Sequence, residues 1–313
     1  MIKHIELDEY IKTKQYKLVN SVLLWQDGKL IVERYYNGYT KDSRNVIRSV
    51  SKSILSIATG ICLDKGLIKA LDEPLCRYLE DFNQGIHPYH RGITLRNLLT
   101  MTSGIYWVGG VHYHCPQLTV LRKSPNWVEH IAETDMVQVP GSKFNYSEFD
   151  VILLTAVLEK VVGGDIFSFI NDNLYKPLNI KSGLWWRSSC GIAYSCAEAG
   201  EGNGGDKERP SNLTAREMLS LGQLFLQGGV YEDKQIVSSK YINEAISPSK
   251  CNPNYGYLWW LGKDFYGCRG YGGQNITVVP KEKEIYVIQA TPTARGKEYD
   301  DIIQFLREFS TSC

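Results

Sequence analysis

Ile47-Arg48-Ser49-Val50-Ser51-Lys52-Ser53-Ile54-Leu55 is the stretch on which the reading of this chain turns. Ile54, Leu55, Ala58, Ile61 and Cys62 recur at helical spacing after it, which predicts a helix opening at Ser49. Residues three apart lie on one helical face, so Lys52 would stand one turn above Ser49, within reach of its hydroxyl. A serine hydroxyl is a weak nucleophile until a neighbouring base takes its proton. A lysine can serve where burial disfavours its charged form. The competing reading is a plain N-cap serine followed by a solvated lysine. Ser-x-x-Lys alone is weak, since a chain of this length contains roughly one by accident. A second copy, Ser247-Pro248-Ser249-Lys250, runs into Cys251-Asn252-Pro253-Asn254, which is turn chemistry.

The surrounding pattern places this helix between two kinds of structure. Residues 5–16 read as a short surface helix. Leu18–Gln26 and Lys29–Tyr36 read as strands around Asp27-Gly28, a hairpin turn in which both central residues need positive φ. From 71 to 248 the pattern is mostly helical. Thr94 opens one short helix, Ser124-Pro125 caps another with proline at its first position, and Ser147 opens a long apolar one that Gly163-Gly164 ends. Thr214-Ala215-Arg216-Glu217 has the form of a capping box, and its helix stops at Gly228-Gly229. Tyr255–Leu261, Asn275–Pro280 and Glu284–Ala290 read as strands, and residues 297–309 as a closing helix. The expected fold class is α/β (α+β): one antiparallel sheet built from both ends of the chain and flanked by helices, plus an all-helical lobe. The α/β lobe would be 1–70 and 249–313, the helical lobe 71–248, with Ser49 at the cleft between them.

The chain has 313 residues, 43% hydrophobic and 22% charged, which suits a globular protein of one large domain or two lobes. Its 35 basic and 34 acidic residues are scattered and leave a formal charge of +1, so no polyanion partner and no nucleic acid are expected. No apolar run reaches transmembrane length, and the acidic start Met1-Ile2-Lys3-His4-Ile5-Glu6 lacks a signal-type core; no membrane partner and a cytoplasmic location are expected. The eight cysteines are dispersed without Cys-x-x-Cys and read as buried thiols. His112-Tyr113-His114-Cys115 invites a metal reading, but a fourth ligand is missing and nothing in the pattern recruits His87 or His90, so no metal is expected. Gly200–Asp206 is glycine-rich without the Gly-Lys-Ser/Thr ending of a phosphate loop and reads as a surface loop. Tyr106, Trp107, Trp185, Trp186, Trp259 and Trp260 would either line an apolar acyl pocket or fill the core.

Taken in order, five segments resemble the serine β-lactamase and penicillin-binding-protein superfamily, in the branch of class C β-lactamases, D-aminopeptidases, β-lactamase-fold esterases and 6-aminohexanoate-dimer hydrolases. They are Ile47–Ser53, Thr94–Gly104, Pro140–Ser147, Thr214–Met218 with Gly222–Phe225, and Gly270–Gln274. The resemblance implies a serine hydrolase acting through an acyl-enzyme on small esters, amides or peptides, with no cofactor and a small-molecule substrate. A penicillin-binding sensor, a non-catalytic binding protein and a weak β-lactamase are the alternatives on the same fold. It further implies that Ser49 attacks a carbonyl, Lys52 shares or relays its proton, and Tyr146 acts as base or shuttle. The oxyanion would be held by the N–H groups of Ser49 and Gln274. Gly272 and Gly273 would let substrate lie close to the strand.

Two departures bear on substrate. Where the family has Tyr-x-Asn or Tyr-x-Ser, this chain has Tyr146-Ser147-Glu148. Glu148 would either pair with Lys52 or be an early-turn helix acid. Where the family has Lys-Thr-Gly or His-x-Gly, it has Tyr271-Gly272-Gly273, without the cation that meets a substrate carboxylate. Arg269, two residues away along a strand and so on the face of Tyr271, would supply the missing charge or would be a solvated strand-end residue.

Overall fold

A computed structural model describes residues 2–83, 86–109, 115–181, 185–188, 190–194, 212–293 and 296–310. His112, Tyr113, His114 and the Gly200–Asp206 segment lie outside these residues. The described helices are α1 (Ile2–Thr13), α2 (Val50–Asp64), α3 (Leu95–Leu99), α4 (Pro116–Leu121), α5 (Trp127–Ala132), α6 (Glu148–Val162), α7 (Ile166–Ile170), α8 (Ala215–Leu226), α9 (Ser239–Ala245) and α10 (Asp300–Ser310). The strands are β1 (Val19–Gln26), β2 (Lys29–Tyr35), β3 (Asn45–Val46), β4 (Trp186–Arg187), β5 (Ala193–Tyr194), β6 (Asn212–Leu213), β7 (Val230–Tyr231), β8 (Lys234–Gln235), β9 (Trp260–Leu261), β10 (Tyr266–Gly270), β11 (Gln274–Val279) and β12 (Glu284–Ala290). Among the described residues no helix is long and apolar enough to cross a membrane.

Both ends of the chain build one six-stranded antiparallel sheet in the order β2-β1-β12-β11-β10-β9. The β1–β2 turn has the geometry its residues predict, with φ of 43° at Asp27 and 87° at Gly28. β12 sits inside the sheet and is buried throughout, with apolar residues on both faces, and its two polar residues, Glu284 and Gln289, are hydrogen-bonded. Ile285 and Val287 join the cluster that includes α2, α6 and α8, while Tyr286 and Ile288 join the cluster formed with α1 and α10. The period-two alternation of a strand thus divides the core into two layers.

Several boundaries differ from the expected ones. α1 begins at Ile2 and ends at Thr13. The helix after Ser124-Pro125 is capped by Asn126, whose side chain accepts from the N–H groups of Val128 and Glu129, and Ser124 instead accepts from Asn126 N at 3.2 Å. Of the expected strand Tyr255–Leu261 only Trp260–Leu261 is extended into the sheet, because Leu258 takes a φ of 60° and the chain turns there. β10 was hidden by its two glycines, which sequence pattern reads as breakers; Gly267 is needed because a Cβ there would collide with Ile276 O on β11.

α8 rests on the sheet through Gly222, where an added Cβ would come 2.7 Å from Ile285 Cγ2 and 3.1 Å from Ile276 Cγ2. Gly222→Val is expected to lose about 1–3 kcal/mol by overpacking this contact. Urea denaturation checks it, and an unchanged midpoint contradicts it.

Candidate active site

Ser49 is the N-cap of α2, yet it does not behave as a capping serine. Its backbone is helical (φ −66°, ψ −3°) and its side chain makes no cap hydrogen bond, whereas a capping serine is extended and accepts from the first turn. The hydroxyl instead accepts from Lys52 Nζ at 3.0 Å. The residue before it, Arg48, has a φ of 51°, a left-handed conformation that costs a non-glycine residue about 1–2 kcal/mol. That turn presents Ser49 at the start of the helix.

Lys52 is 1% exposed, and its ammonium donates to Glu148 Oε1 at 2.6 Å. Glu148 is the first residue of α6, which packs against α2, so the two readings of Glu148 are both correct: it is an early-turn acid and the partner of Lys52. Two residues earlier in the chain, the Tyr146 ring lies with its centroid 5.3 Å from Lys52 Nζ. Ser49, Lys52, Tyr146 and Glu148 therefore converge.

The Thr94–Gly104 segment is what holds Tyr146 in position. Thr94 and Asn97 form a reciprocal capping box on α3. The turn after α3 then receives the Tyr146 lead-in: Gly141 N donates to Thr102 O at 2.8 Å and Asn145 N to Met101 O at 2.9 Å. On the far side of Tyr146, fully buried Asp150 accepts from Ser103 Oγ at 2.6 Å and Ser103 N at 3.3 Å. The third element is the β10–β11 hairpin. Gly270 faces Gln274 across it, and a Cβ on Gly270 would collide with Ile47 O, so the hairpin end abuts the residues leading into Ser49.

A model of the Beta-lactamase family matches residues 15–308. The chain belongs to the beta-lactamase family. It is 20% identical over 294 residues to the 6-aminohexanoate-dimer hydrolase of Paenarthrobacter ureafaciens, covering 86% of this chain and 71% of that one. Among solved structures it resembles a D-stereospecific amidohydrolase from Streptomyces sp., with a TM-score of 0.72, 18% identity and 99% of each chain covered. It also resembles the octameric penicillin-binding protein homologue from Pyrococcus abyssi, with a TM-score of 0.74, 19% identity, and 97% of this chain and 77% of that chain covered. At these identities the structural likenesses establish the fold. The family and these relatives put the chain among β-lactamase-fold hydrolases.

For this beta-lactamase-family chain, the third motif differs from its expected geometry. β10 ends at Gly270, so Tyr271 lies in the turn and does not share a strand face with Arg269. Arg269 Nη1 contacts both carboxylate oxygens of Asp300, at 2.5 and 2.6 Å, and lies 3.9 Å from Glu298. It is an ion-paired residue at the strand end and not a solvated one. Gly272 and Gly273 (φ 80° and 91°) serve the chain's own packing: a Cβ on Gly272 would strike Pro292 and one on Gly273 the Tyr299 ring. The Gln274 side chain is fully buried and donates to Ala290 O at 2.5 Å, which leaves only its backbone for an oxyanion.

Other candidates resolve into structure. Trp107 packs on Phe149, Trp259 stacks on Phe225 with centroids 3.8 Å apart, and Trp185 is buried, so these three fill the core. Tyr106 is exposed. His90 is buried against Phe82, and Cys115 Sγ donates to Val108 O at 3.3 Å. Burial pushes the Cys62 and Cys268 thiols up to about 12. The second Ser-x-x-Lys is a turn whose serines donate to Asn243 O and Asn252 O; it lines a polar cleft of about 870 Å³ that Ser49, Lys52 and Tyr146 do not line.

Sequence reasoning missed two features. One is the ring cluster around Tyr146, which comprises Phe144, Tyr255 and Trp260. Its signal was the aromatic run Tyr255–Trp260, read there as a strand. The other is Asp150, whose signal was an acid in the middle of an apolar helix. Burial pushes the Asp150 carboxyl up to about 7, against the hydrogen bonds from Ser103 and Ser147, which favour the anion. An acid that titrates higher when folded than its ordinary value of about 3.9 binds its proton more tightly in the folded chain, so stability falls as pH rises from about 4 to about 7. Asp150→Asn is expected to remove that fall, on the order of a few kcal/mol between pH 4 and 8. Denaturant melts of both proteins at the two pH values check it; parallel pH profiles contradict it.

Proposed function

We propose that the chain is a serine hydrolase that works through an acyl-enzyme on small esters, amides or peptides. The observation that carries this is the 3.0 Å contact between Lys52 Nζ and Ser49 Oγ, made by a lysine that is 1% exposed. A solvated lysine beside a capping serine would leave the ammonium in water and the hydroxyl on backbone N–H groups.

In this reading Ser49 Oγ attacks the carbonyl carbon and Tyr146 takes its proton. The Glu148 carboxylate, 2.6 Å from Lys52, favours the ammonium form of that lysine, so Lys52 acts by charge and not as the base. A positive charge 5.3 Å from the ring centre in turn favours the phenolate form in which Tyr146 accepts that proton and becomes a phenol. The N–H groups of Ser49 and Gln274 would hold the oxyanion, a contribution that mutagenesis elsewhere puts at about 3–4 kcal/mol for one donor. Tyr146 then protonates the leaving atom, and water releases the acid from Ser49. No step calls for a cofactor. The Arg269–Asp300 pair leaves that arginine committed, which argues against strong β-lactam turnover and towards substrates without a recognised carboxylate.

Steady hydrolysis of p-nitrophenyl esters is expected in the wild type and abolished in Ser49→Ala. Tyr146→Phe should lower kcat by about 10²–10⁴-fold. Turnover that survives Ser49→Ala contradicts the assignment, and a stoichiometric burst without turnover would mark a penicillin-binding sensor instead.

A further inference from the structure

We propose that the subsite beside Tyr146 receives an uncharged aromatic or bulky apolar leaving group, and that the enzyme discriminates against leaving groups bearing a carboxylate. This rests on the acyl-transfer reading above and specifies its substrate class.

The position of the leaving group follows from the proton path. As the Ser49 Oγ–carbon bond forms, the hydroxyl proton passes to Tyr146. As the tetrahedral adduct collapses, the bond from carbon to the leaving oxygen or nitrogen breaks, its electron pair stays on that atom, and Tyr146 returns the proton to it. Water later adds to the acyl carbon, and the ester bond to Ser49 breaks to give the acid and the free hydroxyl. The departing group therefore lies alongside Tyr146.

That side of the site is a wall of rings. The Trp260 ring lies nearly parallel to Tyr146, with centroids 5.9 Å apart and planes at 19°. Tyr255 meets both edge-on, at 6.2 Å from Tyr146 and 4.8 Å from Trp260. Phe144 sits edge-on to Tyr255 at 5.0 Å and to Trp260 at 6.4 Å. Tyr255 is fully buried, but Phe144, Tyr146 and Trp260 are only partly so, and the cluster keeps some ring surface accessible around Tyr146. Trp260 belongs to β9, the outermost strand of the sheet. Aromatic faces favour flat or apolar partners in offset or edge-on arrangements.

The charges on the same side offer a carboxylate little. Glu148 opens α6 two residues after Tyr146, and its charge faces Lys52. Cys268 of β10 faces the core that contains α2, so alternation puts Arg269 on the opposite, α10 face of the sheet, where Asp300 and Glu298 engage it and it offers no charge to this subsite. A substrate carboxylate entering here would meet Glu148 and an ammonium that Glu148 already pairs, and like charges in close proximity disfavour binding.

Two esters that share one acyl group, benzyl butyrate and carboxymethyl butyrate, pass through the same acyl-enzyme, so the ratio of their kcat/KM values reads the leaving group alone. The wild type is expected to favour the benzyl ester by about tenfold or more. Phe144→Leu and Trp260→Leu, each confirmed folded by thermal melting, are expected to reduce that ratio at least threefold. Ser49-dependent turnover with equal rates, with a preference for the carboxymethyl ester, or with a ratio unchanged in both variants overturns this proposal alone. Absence of turnover on every ester, or turnover that survives Ser49→Ala, overturns the acyl-transfer reading and this proposal with it.

Discussion

A lysine ammonium buried to 1% exposure needs a carboxylate, and Glu148 at 2.6 Å supplies it. Much of the site follows from that requirement. Breaking a buried ion pair by removing one partner typically costs about 3–5 kcal/mol, because the remaining charge is left in a medium that solvates it poorly. The pair therefore fixes α2 against α6 at the point where Ser49 and Tyr146 must meet. Because Lys52 also donates to Ser49 Oγ, the same interaction orients that hydroxyl. The left-handed turn at Arg48 and the hairpin end at Gly270 then close around that contact from the sheet side.

The charge balance separates this chain from the pattern it resembles. Glu148 stands where an amide or hydroxyl is usual, and it can only accept hydrogen bonds. Tyr271 stands where a cation is usual, and its ring packs over Gly296. Arg269, the nearest substitute in sequence, is held by Asp300. The result is a chain in which Lys52 and Arg269 are each matched by a carboxylate, and in which aromatic rings cluster around Tyr146. Membership of the family gives the hydrolase fold; these particular residues are what the proposed specificity rests on.

Much of this was legible in the sequence where one local rule and one tertiary demand agreed. Asp27-Gly28, the helix start at Thr94, the capping box at Thr214, and Ser147 with Gly163 each announced an element that formed where expected. Ser49, Lys52, Tyr146 and Glu148 could be named because motif and helical spacing coincided. Legibility failed where a residue served a distant neighbour. Gly267 reads as a breaker but is demanded by Ile276 on the next strand, and the demand of Pro292 and Tyr299 on Gly272 and Gly273 is not visible in the local sequence. Arg269 followed the face rule only while Tyr271 was taken as part of a strand. Asp150 and the Trp260 cluster depend on segments far apart in the chain, from Ser103 to α6 and from Phe144 to β9, and no local pattern encodes such a meeting.

The central claim is that Ser49 is an activated nucleophile because Lys52, Glu148 and Tyr146 converge on it. Intact-mass measurement after brief exposure to a fluorophosphonate, followed by peptide mapping, tests it most directly. The account predicts one adduct per chain, on Ser49, that forms much more slowly in Tyr146→Phe and not at all in Ser49→Ala. No adduct on folded protein, or an adduct on another residue that persists in Ser49→Ala, would contradict it.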